Sequence, residues 1–329
     1  MEHKIPVYLV GSGNAARAMV SALALVKDAE PGVRLGPVQK LSRGQALPAV
    51  DGPSLLLIAN PHALHADLIR RADAQGFSHI VCEKPLVVDA AQIEKLRVTR
   101  AFVAVCHGYR QNWGPQRMRA AIEKGELGKL ITIEGRYWQS SSAAHAVAKL
   151  PARDAWKNDT ALAGHSDTLM DLGTHWADMM GFLAGARPEQ ARGWLSYLNA
   201  EAPHRDTHVH LEIQYPGGLR TFGSVSKTVH GAGNELEINV LTDRNAFTWK
   251  FADPDHLIIG ENSTRRIISR TDPASGSGLT PFHGAGWIDG YGAILQQLFT
   301  PNAKATYPTL NEHLDLLENL FTRVKLIRT

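Results

Sequence analysis

A lysine at the end of a predicted buried strand is the first residue of this chain whose type and position suit it to bind or react with a ligand. Lys84 lies in the tripeptide Glu83-Lys84-Pro85, directly after the apolar run of residues 78–82. Open α/β sheets present ligand-binding groups at the carboxyl ends of their strands. The proline fixes its own φ and favours an extended backbone at Lys84. The pattern therefore predicts a ligand-facing lysine.

A glycine-rich turn near the N-terminus predicts a site for nucleotide phosphates. The motif Gly11-x-Gly13-x-x-Ala16 follows one apolar run and opens an Ala- and Leu-rich helical stretch. Gly11 allows a tight turn, Gly13 lets the backbone approach a pyrophosphate, and Ala16 lets the helix pack close to the sheet. Asn14 and Ala15 begin the helix, whose N-terminal N–H groups favour phosphate. The alternative is a purely structural strand-to-helix turn.

The residues after the second predicted strand favour NADP over NAD. An NAD enzyme usually has an acid there for the ribose 2′-hydroxyl, whereas this chain has Ser42 and Arg43. Ser42 can donate a hydrogen bond to a phosphate oxygen, and Arg43 can pair with the phosphate and stack on adenine. If Arg43 is instead a solvated loop arginine, NAD is a possible cofactor.

Three polar residues are spaced for one face of a predicted helix over residues 167–183. Asp171, His175 and Asp178 fall at i, i+4 and i+7. Taken alone, such a trio is more typical of a solvated or ion-paired face than of a catalytic one. A histidine and two carboxylates can also bind zinc or manganese. Because no further ligand cluster has suitable spacing, no metal is predicted.

The elements that must position these residues form two kinds of pattern. Apolar runs alternate with helical stretches in the first part of the chain, which predicts a parallel sheet; the runs are 5–10, 37–41, 54–59, 79–82 and 101–106. Later runs alternate residue by residue between Pro-Gly-Gly and Asp-Arg-Asn turns, which indicates antiparallel hairpins. The predicted fold class is α/β: a Rossmann-type doubly wound parallel sheet plus an α+β domain with an open, mainly antiparallel sheet.

The change of pattern predicts two domains. Residues 1–108 are expected to form the dinucleotide-binding domain, completed by a C-terminal helix at about 309–329. Residues 109–308 are expected to form the substrate-binding and oligomerisation domain.

Composition and charge argue against several classes of protein. The 44% hydrophobic content suffices for sizeable cores, and a net charge of +3 without a basic run suggests no nucleic-acid or membrane-surface partner. No apolar stretch approaches the roughly 18 residues that span a bilayer. The first residues lack the layout of a signal peptide. Cys82 and Cys106 form no disulfide framework and are interpreted as buried thiols. The predicted location is the cytoplasm.

Together these motifs resemble the glucose–fructose oxidoreductase / inositol dehydrogenase / rhizopine catabolism (Gfo/Idh/MocA) family. Glu83-Lys84-Pro85 is similar to its signature, and Asp171-Leu-Gly-Thr-His175-x-x-Asp178 is similar to its Asp-x-Gly-x-His-x-x-Asp block. The resemblance implies an NAD(P)-dependent oxidoreductase that transfers hydride between nicotinamide and a secondary hydroxyl or ketone of a sugar, polyol or sugar derivative. It also implies a homodimer or homotetramer.

The resemblance implies that Lys84, Asp171 and His175 form the catalytic group, while Asp178 supports the helix. Oxidation of a secondary alcohol removes the hydroxyl proton while hydride leaves carbon. A histidine with a pKa near neutrality can accept that proton, and a lysine can bind the oxygen as negative charge develops. Asp171 would orient one of these groups or hold a neighbouring substrate hydroxyl.

Further cofactor contacts are implied around a second loop. Asn60-Pro61-His62-x-x-His65 is similar to the family's Thr-Pro-Pro-x-x-x-His segment beside the dinucleotide, with Asn in place of Thr and His in place of the second Pro. His65 is alternatively an ordinary helix residue. The cofactor-binding residues implied here are Asn60, Pro61, His65, Glu83 and Lys84.

Further substrate contacts are implied at four positions. Tyr109 lies in a stretch similar to the family's inter-domain crossing, and Trp156-Lys157 occupies the place of its Trp-Arg. Ala163-Gly164-His165-Ser166 departs from the family's more glycine-rich approach to the catalytic helix. Lys157 and His165 therefore tune substrate choice or are simply exposed.

Two other functions fit the same sequence. One is hydride chemistry on a non-sugar substrate such as a dihydrodiol or an imine, and the other is a catalytically silent NAD(P)-sensing protein. The presence of both Lys84 and His175 argues against the silent protein.

Overall fold

The structure, a computed structural model, separates into two compact units. It describes residues 4–29, 34–42, 44–143, 156–157, 159–198, 205–271, 282, 284, 286–300 and 303–324. The first unit comprises Met1–Asn112 with Asp272–Leu314, and the second comprises Trp113–Thr271 with Asp315–Thr329.

A parallel sheet of five strands forms the centre of the first unit, in the order β2-β1-β3-β4-β5. The strands are β1 (Ile5–Val10), β2 (Leu35–Leu41), β3 (Leu55–Ile58), β4 (His79–Cys82) and β5 (Phe102–Val105). All four residues of β3 are buried, as expected for a strand that helices cover on both faces. Because the strand order reverses between β1 and β3, the sheet has the switch point at which such folds bind ligands. The prediction of a Rossmann-type sheet is confirmed.

The helices of the first unit include one that the sequence analysis did not predict. They are α1 (Asn14–Ala29), α2 (His65–Ala74), α3 (Ile93–Arg97) and α7 (Trp287–Phe299). Tyr291, Ile294 and Leu295 of α7 join the same core cluster as Met19 and Leu23 of α1. Their i, i+3 and i+4 spacing gives α7 an apolar stripe, and this stripe packs against α1. The expected second domain runs to residue 308, whereas residues 272–308 cluster with the first unit.

A sheet of eight strands forms the second unit, in the order β13-β12-β11-β10-β6-β9-β8-β7. The strands are β6 (Leu130–Gln139), β7 (Gln190–Ser196), β8 (His208–Gln214), β9 (Arg220–Ser226), β10 (Asn234–Thr242), β11 (Asn245–Lys250), β12 (Asp253–Glu261) and β13 (Thr264–Ser269). Strands β6 and β9 pair in parallel, and the other neighbours pair antiparallel. The mainly antiparallel sheet is therefore confirmed, and β7, β12 and β13 extend it beyond the predicted hairpins.

The helices of the second unit are α4 (Trp113–Glu123), α5 (Thr160–Ala163), a five-residue π-helix (Leu169–Gly173), α6 (Thr174–Ala184) and α8 (Leu310–Arg323), of which residues 310–314 group with the first unit. Of these, α4, the π-helix and α6 pack against strands of the sheet. Trp176 of α6 is completely buried over Gly135 and Gly223, which pair with each other in β6 and β9. A Cβ atom at Gly223 would overlap the indole ring, so this glycine lets α6 lie close to the sheet.

The opposite face of the same sheet carries exposed aromatic residues. Trp194 of β7 and Phe222 of β9 are 45% and 42% exposed. The Trp194 ring stacks on His210 with centroids 4.7 Å apart, and the Arg136 guanidinium lies 4.4 Å from the centroid of Trp138. None of the described helices has the length and apolar character that a membrane crossing requires.

Candidate active site

The predicted cofactor residues of the first unit follow the ends of neighbouring parallel strands. Val10 pairs with both Leu41 and Ile58, and Ile58 pairs with Cys82, so these four strands end level with one another. The residues that follow these ends include Gly11, Ser42, Asn60 and Glu83. Because carboxyl ends of parallel strands meet at one edge, the sheet brings the predicted cofactor positions together.

The glycine-rich turn has the shape that a bound pyrophosphate requires. Gly11 has φ +134°, and a Cβ atom there would overlap the backbone carbonyl of Ala59, so only glycine fits between the two strand ends. A Cβ atom at Gly13 would meet no described atom within 4 Å, which leaves the backbone open for close approach. The N–H of Arg17 makes a helical bond to the carbonyl of Gly13 at 3.2 Å. The N–H groups of Asn14 and Ala15 precede it and have no acceptor within the helix, so they can bind phosphate oxygens.

A buried acceptor beside this turn also fits a bound dinucleotide. The side-chain oxygen of Asn60 is buried and has no hydrogen-bond partner among the described residues. An unpaired buried acceptor is costly, and a hydroxyl or amide of a ligand would satisfy it. Pro61 follows it and precedes a short 3₁₀ turn at 62–64 that leads into α2.

His65 contacts backbone carbonyls and has no exposed surface. Its ring is completely buried. Its Nδ1 lies 2.8 Å from the carbonyl oxygen of Pro85, and its Nε2 lies 2.8 Å from that of Asn60. Burial lowers the pKa of His65, the positive charge of Lys84 lowers it further, and the two carbonyls oppose this shift. An uncharged ring carries one N–H and donates to only one of these carbonyls, so the ring packs between the Asn60 turn and the segment that carries Lys84.

Residues 83–86, which we call the lysine loop, are held by His65 at the Pro85 carbonyl and by two further anchors. The hydroxyl of Tyr291 in α7 donates to the Glu83 carboxylate. Burial, followed by the Glu83 charge, raises the pKa of Tyr291 well above its ordinary value. The N–H of Leu86 donates to Nε2 of His313 in α8 at 3.4 Å. The Lys84 side chain, between these anchors, is 93% buried, since its exposed fraction is 7%.

His313 is a neutral histidine by both geometry and charge. Because Leu86 donates to its Nε2, the ring proton lies on Nδ1, which faces Nε2 of His107 at 3.1 Å. Burial, and then the charges of Arg110 and Lys84, lower the pKa of His313 to about 3. A positive charge on this ring would break the bond from Leu86. The lysine loop thus depends on a histidine that carries no charge.

The residues after β2 are the ones on which the predicted cofactor preference depends. Ser42 follows the strand, is exposed, and its N–H donates to the side-chain oxygen of Gln45 at 2.9 Å. Arg43 lies outside the described residues. The sequence from Leu41 to Gln45 contains no carboxylate.

In the second unit, Asp171 and His175 lie on one helical segment whose geometry changes between them. Asp171 lies in the π-helix and His175 in the first turn of α6. The predicted helix is confirmed, but residues 169–173 of it are π-helical, and a π-helical turn of this kind is frequent at functional sites. The side chain of Asp171 is 27% exposed, His175 is half-buried against Tyr137, and Asp178 is buried. Asp178 therefore faces the interior of the unit, whereas Asp171 and His175 are partly exposed.

A buried lysine holds Asp171. Nζ of Lys227, which directly follows β9, lies 2.6 Å from Oδ2 of Asp171 and 2.8 Å from Oδ1 of Asp167. The Lys227 side chain is 2% exposed. Burial lowers its pKa, but the charges of the two carboxylates raise it more, so the pKa lies above its ordinary value. We call residues 167–175 the aspartate turn.

Two more charged residues support the aspartate turn. The guanidinium of Arg205 donates to Oδ2 of Asp167 at 2.7 Å. The buried carboxylate of Asp206 accepts from the N–H groups of Asp167 and Leu169 at 2.5 and 2.8 Å, and from the hydroxyl of Ser166 at 2.7 Å. Burial raises the pKa of Asp206, and these hydrogen bonds oppose the rise. The start of the helix thus has its unpaired N–H groups satisfied by a distant side chain.

The remaining predicted substrate residues have different surroundings. Trp156 and Lys157 are half-buried, with Nζ of Lys157 6.0 Å from the Trp156 ring centroid. The carbonyl of Lys157 accepts from Arg205 at 2.9 Å, which joins this pair to the aspartate turn. His165 is exposed. Tyr109 lies in the first unit, in a short 3₁₀ turn after β5.

The sequence analysis missed the residues that hold both sites. Lys227, Arg205, Asp206, Tyr291 and His313 were not singled out. A signal existed for one of them, because Lys227 falls within an alternating run that predicts a strand, where a charged residue that becomes buried needs a partner. Within the described residues, no group of three or more His, Cys, Asp or Glu is arranged to hold a metal ion.

Family models match both parts of the chain. A model described as the oxidoreductase family, NAD-binding Rossmann fold, matches residues 36–101, and one described as the GFO/IDH/MocA C-terminal domain matches residues 116–242. Together they cover more than half of the chain.

Curated relatives agree with these models at low identity. Levoglucosan dehydrogenase of Pseudarthrobacter phenanthrenivorans is 26% identical over 277 residues, which is 74% of this chain and 69% of that protein. Glucose-6-phosphate 3-dehydrogenase of Bacillus subtilis is 27% identical over 191 residues, or 53% of this chain and 52% of that one. An oxidoreductase of Bacillus subtilis called YfiI is matched over 54% of its length. The chain thus spans about half the length of the Bacillus relatives that it matches.

Solved structures share the fold over nearly the whole chain. Levoglucosan dehydrogenase in complex with NADH and levoglucosan has a TM-score of 0.80 at 21% identity and covers 96% of this chain and 95% of its own. An inositol dehydrogenase homolog from Azotobacter vinelandii in complex with NAD⁺ has a TM-score of 0.78 at 18% identity, covering 97% and 94%. At such identity the likeness shows the fold alone. With the family models, it establishes that this chain belongs to the Gfo/Idh/MocA family of NAD(P)-dependent oxidoreductases.

Proposed function

We propose that this protein transfers hydride between a nicotinamide cofactor and a secondary hydroxyl, or the matching ketone, of a sugar, polyol or sugar derivative. The observation that carries the proposal is the lysine loop, which presents Lys84 at the edge of the NAD-binding sheet where the glycine-rich turn also lies. A bound nicotinamide supplies the hydride acceptor or donor. The residues of this chain must then bind the reacting oxygen and move its proton.

Lys84, Asp171 and His175 are the residues we assign to that task. The Lys84 ammonium binds the reacting oxygen and stabilises the negative charge that develops on it. His175 is half-buried and suited by its chemistry to accept the hydroxyl proton during oxidation and return it during reduction. Asp171, anchored through one oxygen by Lys227, orients the histidine or holds a neighbouring substrate hydroxyl.

The substrate class is supported by the relatives and by the surroundings of the aspartate turn. The similar proteins named above are dehydrogenases of levoglucosan and of glucose 6-phosphate, and a solved relative is an inositol dehydrogenase homolog. Asp171 offers a carboxylate to hydroxyl groups, and Trp156 offers an aromatic face of the kind that stacks on sugar rings. Lys157 and His165 are the residues we propose for substrate choice.

A direct test is turnover against a panel of sugars, polyols and their keto forms, with nicotinamide absorbance as the readout. Each compound would be assayed with NAD(H) and, in a separate assay, with NADP(H). We expect reduction or oxidation of at least one member of the panel. Turnover of only a dihydrodiol or an imine would replace the substrate class. Tight cofactor binding without turnover of any substrate would favour a nucleotide-sensing protein.

We also propose that NADP(H) is the preferred cofactor. The support is the absence of an acid between Leu41 and Gln45 and the presence of Ser42 and Arg43 in its place. An arginine–phosphate hydrogen bond contributes about 1.5–3 kcal/mol, or one to two orders of magnitude in affinity. Arg43→Ala should weaken NADPH by that factor and leave NADH nearly unchanged, as fluorescence titration would measure. Equal or tighter binding of NADH by the unsubstituted protein would assign NAD instead, the nucleotide found in both solved relatives named above.

Finally, we propose that the exposed face of the eight-stranded sheet forms the contact of a homodimer or homotetramer. Trp194 and Phe222 lie on this face, and exposed apolar area of this kind is typical of self-association surfaces. Phe222→Glu would place a like charge against its copy across a two-fold axis. Light scattering should show a multiple of 35.9 kDa for the unsubstituted protein and a monomer for the variant. A monomer in both samples at micromolar concentration would exclude this contact.

A further inference from the structure

We propose that Lys227 is a positioning residue, which acts through Asp171 by holding its carboxylate ionised and in one orientation toward the substrate. The inference deepens the proposed function and rests on it for the effect on turnover. Its structural part, that Lys227 sets the ionisation and orientation of the Asp171 carboxylate, can be tested without any substrate.

The backbone around Lys227 leaves its side chain little freedom. Its N–H donates to the carbonyl of Thr207 at 3.3 Å, and its carbonyl accepts from the N–H of Ser142 at 2.9 Å. The side chain is 2% exposed and ends between two carboxylates, at 2.8 Å from Asp167 and 2.6 Å from Asp171. Charge-assisted bonds of this length are strong and fix the acceptor's orientation. Lys227 is therefore an anchor behind the site and does not touch the substrate.

The two carboxylates that share Lys227 have different supports. Asp167 is 10% exposed and also pairs with Arg205 at 2.7 Å, so it retains a cation when Lys227 is removed. Asp171 is 27% exposed and lies in the π-helical turn, one turn before His175. Because Lys227 fixes one oxygen of this partly exposed carboxylate, the orientation of the whole group toward a ligand is constant.

The charges near Asp171 decide what happens when the anchor is lost. Lys227 faces it from the end of β9, Asp167 from one turn earlier on the same segment, and His175 from one turn later. Arg205 and the buried Asp206 lie behind Asp167. Without Lys227, Asp171 keeps a nearby carboxylate and loses a cation at 2.6 Å. A carboxylate in that position takes up a proton more readily, and its orientation is less constrained.

The first test measures Asp171 itself. Carbon-detected NMR would follow protonation of its carboxyl group with pH in the unsubstituted protein and in Lys227→Met, which keeps the length of the side chain without its charge. We expect the protonation midpoint to move to higher pH by at least one unit in Lys227→Met and by much less in Lys227→Arg. An unchanged midpoint in Lys227→Met would overturn the inference, whatever the protein is found to oxidise.

The second test measures turnover on the identified substrate. Lys227→Met should lower kcat by roughly 10²-fold, the effect of a misplacement near the reacting atoms, while the affinity for the nicotinamide cofactor stays within about twofold. In Lys227→Met, the acid limb of the profile of kcat/KM against pH should shift to higher pH, in parallel with the protonation midpoint of Asp171. Lys227→Arg should recover most of the loss. The double variant Lys227→Met/Asp171→Asn should be no slower than Asp171→Asn alone, because the lysine acts through that carboxylate.

A matched control separates positioning from loss of any buried ion pair. Arg270 pairs with Asp255 at 3.2 Å in the same unit, and their side chains are 6% and 7% exposed. Arg270→Met should lower the thermal midpoint as Lys227→Met does, but it should change neither the Asp171 titration nor the pH profile. If both variants change kcat equally with an unshifted profile, Lys227 is merely structural. If the unsubstituted protein turns over no sugar while its Asp171 titration depends on Lys227, the proposed substrate class fails and the anchor remains.

Discussion

The lysine loop is anchored by uncharged groups, whereas the aspartate turn is anchored by charged ones. Around Lys84, the anchors are uncharged rings and a hydroxyl: His65 on a backbone carbonyl, His313 on a backbone N–H, and Tyr291 on Glu83. Around Asp171, the anchors are full charges in a chain of ion pairs from Arg205 through Asp167 to Lys227.

The difference follows from the charge that each region presents. The positive charge of the buried Lys84 helps to keep His65 and His313 uncharged, so these two supports of the loop are neutral. A carboxylate needs a cation behind it, and a buried lysine then requires a second carboxylate to balance it. We therefore expect the lysine loop to be sensitive to acid and the aspartate turn to be sensitive to the removal of single charges.

The largest expected effect comes from removing the reacting group of either region. His175→Ala should lower turnover by roughly 10²–10⁴ because a positioned acid–base is lost, and Lys84→Met should do the same. Binding of the nicotinamide cofactor to His175→Ala, measured by fluorescence, should remain nearly intact. The double variant should fall less than additively if both groups act on one oxygen, as the proposed function requires.

Near-normal turnover of His175→Ala on the identified substrate would remove histidine from the mechanism. Lys84 or Tyr109 would then be the proton-transfer group. Asp171→Asn provides the matched isosteric variant, which keeps the shape of the turn and should alter the pH profile of kcat/KM.

A steric change under the aspartate turn should have the next largest effect. Gly223→Ala places a Cβ atom in the indole ring of Trp176, so α6 must move away from the sheet. We expect a loss of about 1–3 kcal/mol in the free energy of unfolding, the usual cost of overpacking, together with a lower kcat. Gly233→Ala is the control, because a Cβ atom there meets no described atom within 4 Å. Equal urea midpoints for the two variants would contradict this packing of α6.

Acid should weaken the lysine loop through His313. The folded pKa of this ring is about 3, below the ordinary value of 6.5, so the unfolded chain binds more protons in that interval. Stability is therefore unaffected above pH 6.5 and falls as the pH decreases from 6.5 toward 3. At pH 5 the contribution of this ring is a loss of up to about 2 kcal/mol.

Urea denaturation at pH 7 and pH 5 would measure this loss. His313→Gln keeps an acceptor for the N–H of Leu86 and should flatten the dependence on pH. His230→Gln changes an exposed histidine and should not. A loss between the two pH values that is as large in His313→Gln as in the unsubstituted protein would place the acid sensitivity elsewhere.

The smallest expected effect is the loss of one of several hydrogen bonds to the buried Asp206 carboxylate. Ser166→Ala removes a hydroxyl from Asp206 but leaves its two bonds from the N–H groups of Asp167 and Leu169. We expect a loss of about 1.5 kcal/mol in the free energy of unfolding, the lower end for a hydrogen bond to a charged group, and an unchanged thermal midpoint would show that the backbone donors suffice. Calorimetry would measure it.

Local patterns in the sequence determined the path of the chain and identified the residues that we propose as reacting groups. The apolar runs predicted the five parallel strands, because strands covered on both faces have continuous hydrophobic stretches. Gly11 could be assigned from the motif alone, since a tight turn between strand and helix needs glycine. Lys84, Asp171 and His175 were found because short motifs carry their spacing within a few residues.

Only the tertiary structure decided what holds those groups. Lys227 lies 56 positions after Asp171 in the numbering, and His313 lies more than 200 after Leu86. Such pairs leave no periodic trace, because each partner is set by the packing of whole elements and not by its neighbours in sequence. The π-helical turn, the burial of Asp178 and the place of α7 in the first unit have the same origin. A hydrophobic pattern specifies which face is buried, whereas the identity of what it is buried against depends on the fold.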